Sequence, residues 1–88
     1  MRLWLNDEYY LQKEDIVGIF DLDNSTVEAA TKTTLKRFEA EGNLIVSTEE
    51  IPVSFVLTAE KQRDGKQRIF FSRYAPRSLR RRAERKGS

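Results

Sequence analysis

From Arg73 to Lys86 the chain reads RYAPRSLRRRAERK, with seven basic residues in fourteen. Guanidinium groups at this density repel one another in a packed interior. A polyanion neutralises them readily, because each phosphate can accept two parallel hydrogen bonds from one arginine. Arg73, Arg77, Arg80, Arg81, Arg82 and Arg85 are therefore the first candidates for nucleic-acid contact. A second set of bases, Lys32, Lys36 and Arg37, lies on a helical stretch upstream. The plainer reading of the run is a solvated tail that only aids solubility. For the helix bases it is an outer face laced with ion pairs.

The net charge of +2 conceals a sharp division. Residues 1–60 hold 5 basic and 12 acidic side chains, a balance of −7. Residues 61–88 hold 11 basic side chains against Asp64 and Glu84, a balance of +9. A partner within about a Debye length of the C-terminal third meets a basic surface, whatever the whole chain sums to.

Other chemistry is missing. The chain has no Cys and no His, which removes thiolate nucleophiles, imidazole bases and the usual zinc or haem ligands. Paired carboxylates occur at Glu14-Asp15, Asp21 with Asp23, and Glu49-Glu50, each in a turn setting beside a strand. Asp21, Asp23 and Asn24 lack the spaced glycine and distant bidentate glutamate of a calcium loop. No glycine-rich loop leads into a helix to cradle a phosphate. The expectation is no enzyme, with no catalytic residues, metal, cofactor or small-molecule substrate. No apolar run approaches the roughly 20 residues of a membrane span, and no signal peptide is visible, so a cytoplasmic protein is expected.

Eighty-eight residues suit one domain with a thin core, since chains of this size bury only about 60% of their unfolded surface. Met1–Leu5 and Tyr9–Leu11 flank Asn6-Asp7-Glu8, a hairpin-like pair. Ile16-Val17-Gly18-Ile19-Phe20 is an unbroken apolar run, which predicts a strand covered on both faces, central in the sheet or against another subunit. Gly18 marks a bulge or a close backbone approach. Ser25 and Glu28 fit a capping box. Val27, Ala30, Leu35 and Phe38 then recur at helical spacing, with Thr31 and Thr34 on the same side, and Gly42 is the expected left-handed stop.

Beyond Gly42, Leu44–Val46 and Val53–Thr58 read as strands. Asp64-Gly65 turns the chain back into Gln67–Ser72, so three antiparallel strands follow the helix. The predicted class is α+β, a mostly antiparallel sheet with one main helix packed on it. Residues 1–74 form the domain, and residues 75–88 a basic tail or a short helix opened by Pro76 and anchored weakly by Leu79 and Ala83. Trp4, Tyr9, Tyr10, Phe70, Phe71 and Tyr74 are many rings for so small a core. They fill the core or an interface. Phe70 and Tyr74 beside Arg68 and Arg73 could otherwise stack single-stranded RNA.

Three segments, MRLWLNDEYYLQKEDIVGIFDLD, TKTTLKRFEAEGNLIVST and PVSFVL with the arginine-bearing end, span nearly the whole chain. Together they resemble the bacterial extracellular matrix regulatory family of the RemA/RemB type, the RemB branch more closely. Glu14 to Leu22 is the most specific part, and Pro52 to Val56 adds to it. The resemblance implies a ring-forming homo-oligomer that binds double-stranded DNA and regulates transcription, in the RemA branch of biofilm-matrix genes. One departure stands out. RemA-like members carry arginines in the loop after the central strand, whereas residues 48–54 here read TEEIPVS. DNA contact would then fall to the C-terminal arginines or the helix bases. The alternative expectation is a protein-interaction or scaffolding ring whose basic tail meets an acidic partner.

Overall fold

The computed structural model describes residues 2–5, 9–22, 29–46 and 49–84. The proposed capping box at Ser25 and Glu28, along with Val27 and Arg85, lies outside them. The elements are β1 (Arg2–Trp4), β2 (Tyr10–Gln12), β3 (Ile16–Asp21), α1 (Ala29–Ala40), β4 (Leu44–Val46), β5 (Ser54–Glu60), β6 (Lys66–Ser72) and α2 (Pro76–Glu84). The class is α+β with mostly antiparallel sheets, as expected, but two helices take part.

The centre of the molecule follows from alternation along β5 and β6. Their register pairs Phe55 with Phe71, Val56 with Phe70 and Leu57 with Ile69. Successive side chains of a strand point to opposite faces, so each face of the pair receives large apolar groups. Phe55 and Ile69 pack with Phe38 of α1, and Leu35, Leu44, Leu57 and Phe71 gather around them. On the other face Val56 and Phe70 pack with Leu3, Leu5 and Leu11 of the N-terminal hairpin and with Leu79 of α2. The β6 segment, expected to be partly wet, is thus covered on both sides. Two thin cores share one sheet between them.

Strand order is β3-β5-β6-β4, with β1 and β2 forming a separate antiparallel pair. Two expectations are corrected here. Among the described residues the apolar strand β3 lies at an edge and pairs with β5. Its inward residue Ile19 reaches the α2 side, whereas Phe20 stacks on Phe55 at 5.0 Å. Within the chain Ile16 and Ile19 are partly covered, whereas Val17 and Phe20 remain 59% and 44% exposed, so the expected cover on both faces is not met. Secondly, β4 runs parallel to β6, with Leu44, Ile45 and Val46 opposite Ile69, Phe70 and Phe71. Strands β3 and β4 therefore point the same way and are joined through α1, with the β5–β6 hairpin inserted between them. Parallel strands need such a crossover connection, and a helix supplies it.

Glycines act where they were expected. The β3–β5 register shifts between Ile16 and Gly18, which places the bulge. A Cβ on Gly18 would lie 2.8 Å from the Phe20 ring. Gly42, at φ 76°, ends α1: its N–H bonds to the Glu39 carbonyl at 3.1 Å and that of Asn43 to Phe38 at 2.8 Å. That pair of bonds is a Schellman motif. Because nothing lies within 4 Å of a Cβ there, Gly42→Ala should cost about 1 kcal/mol through backbone strain alone. Urea denaturation checks it: the midpoint falls while the slope stays unchanged. The β5–β6 turn closes through Asp64 and Gly65, both left-handed, with Gly65 N–H on the Glu60 carbonyl at 2.8 Å.

Candidate nucleic-acid interface

The basic C-terminal segment is placed by two buried serines and one leucine. Ser54 Oγ donates to the Tyr74 carbonyl at 2.5 Å, and the Tyr74 N–H donates to Ser72 Oγ at 3.1 Å. Both serines are fully buried, so the chain leaving β6 is pinned at Tyr74 from two strands. Pro76 then opens α2, a favoured first helical residue because its missing N–H would have no partner there. Three residues on, Leu79 is 0% exposed among Leu3, Leu5, Leu11, Val56 and Phe70. What the composition presents as a solvated arginine run is a helix seated in the core.

Helical geometry then sorts the arginines. Successive residues step about 100° around the axis. With Leu79 facing inward, Arg80 and Arg82 fall on opposite flanks, while Arg77 and Arg81 share the outer face. Arg80 Nη2 donates to the Ile19 carbonyl of β3 at 3.2 Å. Leu22 N–H bonds to Val53, so the even-numbered residues of β3 turn their backbone toward β5. The Ile19 carbonyl therefore lies on the free edge, and Arg80 caps that edge. Unpaired strand edges invite foreign strands, and charged side chains blunt them.

Arg82, half-buried, lies 4.4 Å from the centroid of the Tyr74 ring. Arg73 approaches the same ring at 4.9 Å, and its Nη2 donates to the phenol oxygen at 2.9 Å. Its Nη1 reaches Glu50 Oε1 at 3.3 Å. The hydrogen bond from Arg82, then that from Arg73, holds the Tyr74 phenol below the ordinary tyrosine range. Arg73 is in turn held more firmly protonated, chiefly by its bond to Tyr74. In an ultraviolet titration Tyr74 should ionise below the ordinary tyrosine range. Arg82→Ala should move that ionisation back up, and an unmoved curve would rule the Arg82 bond out.

Arg77 and Arg81 are exposed, and no hydrogen bond or ion pair joins either to another described residue. One turn apart, they present two guanidiniums side by side on the outer face of the helix. The second predicted set lies elsewhere. Lys32, Lys36 and Arg37 are exposed on α1, which packs on the opposite face of the sheet from α2. Arg37 lies 5.5 Å from the Phe38 ring. One flat ligand cannot meet both sets.

The rings answer the stacking question. Phe70 is 2% exposed and Tyr74 is half-buried beneath guanidiniums, so neither offers a face to a base as the RNA reading required. The exposed rings are instead Phe20 on β3 and Trp4, Tyr9 and Tyr10 on the N-terminal hairpin, with Trp4 and Tyr10 5.0 Å apart. Strand alternation gives the signal for this pair, since Leu3 and Leu11 take the inward positions. Among the described residues no group of three or more carboxylates could hold a metal, and no helix is long and apolar enough to cross a membrane. No family model matches the chain, and comparison with curated proteins returns no match.

Proposed function

We propose that this protein is a small oligomeric DNA-binding regulator of transcription that contacts phosphates through arginines and performs no catalysis. The observation that carries the reading is the outer face of α2, where Arg77 and Arg81 stand exposed, joined to no other described residue, on a helix fixed by a buried leucine. A rigid helix holds its cations at a set spacing, so less conformational entropy is lost on binding than from a frayed tail. The resemblance to the extracellular matrix regulatory family gives the same reading from a different direction. Repetition of α2 around a homo-oligomeric ring would multiply modest contacts through effective concentration.

Phosphate contacts fix position without reading bases. Sequence preference would then come from DNA shape and deformability. The test is fluorescence anisotropy on labelled duplex DNA across a salt series, because every phosphate neutralised adds roughly −0.9 to the log–log slope. Binding that is absent at low salt rejects the reading and leaves the scaffolding ring with an acidic partner in the lead. A chain ending at Ala75 is unsuitable as the control, since it removes Leu79 from the core. Point variants on the outer face of α2 are the appropriate comparison.

A further inference from the structure

We infer that Arg73, Tyr74 and Arg82 form a discrete site for a single phosphate group, occupied in part by the protein's own Glu50 until the ligand arrives. The inference rests on the polyanion-binding reading and deepens it, by naming one place where a phosphate is gripped individually.

The geometry is unusual for a surface. Two guanidiniums converge on one neutral phenol, at 4.9 and 4.4 Å from its centroid. Whichever faces they occupy, the charges lie within about 9 Å of each other, roughly one Debye length. The phenol supplies no negative charge to offset them. Glu50 offsets Arg73, at 3.3 Å between exposed groups. Exposed pairs of this kind contribute little, so the carboxylate is readily displaced. A phosphate is larger and carries more charge. It can accept from both guanidiniums and from the phenol O–H at once.

The site is also built rather than incidental. Tyr74 is fixed at its own backbone by Ser54 and Ser72, both buried. Arg82 is half-buried and carried by the helix that Leu79 anchors. Ser78, one turn before Arg82, stands on the same flank. The lowered phenol ionisation fits the same local excess of positive charge. An acidic loop at Glu49-Glu50 gains a role here as an internal stand-in for the ligand.

The test titrates the full chain with inorganic phosphate against sodium chloride at matched ionic strength and pH 7. Side-chain resonances of Arg73, Arg82 and Tyr74 are followed by NMR, with Arg77 and Arg81 as exposed references. Saturable shifts confined to the first three are expected, with the phenol ionisation returning toward its ordinary value. Removing the charge-assisted bond in Tyr74→Phe should weaken phosphate about ten-fold, and Glu50→Gln should tighten it several-fold. Intact core resonances in both variants confirm the fold. Linear shifts shared equally with chloride, or with Arg77 and Arg81, would overturn the site.

Duplex DNA on the same samples separates the two ideas. DNA binding without phosphate saturation removes the site and leaves the regulator. Phosphate saturation without DNA binding removes the regulator and leaves a site for a free phosphate ion.

Discussion

Leu79→Ala should be among the most damaging single changes available in this chain. Leu79 is fully buried and joins α2 to the N-terminal hairpin and the sheet. Truncating a buried leucine costs about 2–5 kcal/mol, through lost transfer energy and the cavity left behind. A domain of this size holds roughly 4–13 kcal/mol in all. The loss should lower the melting temperature by roughly 10–25 °C. Thermal unfolding followed by circular dichroism measures it directly. Were the segment a solvated tail, the same substitution would change nothing, and an unshifted transition would return it to that status. The variant should lose DNA binding as well, because the helix that spaces Arg77 and Arg81 would no longer be seated.

Replacing Arg77 and Arg81 together by Ala is the second large effect, this time on binding with the fold intact. Both side chains are exposed and neither joins another described residue, so the stability change should stay within about 0.5 kcal/mol. If each neutralises one phosphate, the log–log salt slope should flatten by roughly 1.8. At 0.1 M salt that corresponds to a loss of several tens of fold in affinity, equal for all duplex sequences. Loss confined to one sequence would point to base contacts and contradict the phosphate reading. The contrasting variant is Lys32→Ala with Lys36→Ala on α1. These residues lie across the sheet from α2 and should leave the slope unchanged. Arg80→Ala is a poor probe, because Arg80 caps the Ile19 carbonyl and its removal bares a strand edge.

Much of the architecture was legible because it depends on local rules. The left-handed stop at Gly42 and the Asp64-Gly65 turn follow from the few residues that tolerate positive φ. The bulge at Gly18 follows from a glycine inside an apolar strand. The helical stripe of Leu35 and Phe38 and the period-two runs of β5 and β6 set which side chains face inward. Partner and direction were not legible. A three-residue strand such as Leu44–Val46 has no pattern that distinguishes parallel from antiparallel pairing. An apolar run such as Ile16–Phe20 predicts burial, yet it does not tell a central strand from an edge strand that leaves Val17 and Phe20 exposed.

The candidate site divides along the same line. Composition alone determined that this chain carries a concentrated positive charge near its C-terminus and lacks thiol and imidazole groups. Those are sums over residues, independent of conformation. Only the tertiary structure decided which arginines remain open to a ligand. Leu79 sets the rotation of α2 by burying itself. That rotation commits Arg80 to the β3 edge and Arg82 to Tyr74, and turns Arg77 and Arg81 outward. In sequence Arg80, Arg81 and Arg82 are three identical letters in a row. A 100° step per residue around a helix fixed by one buried side chain gives them three different surroundings.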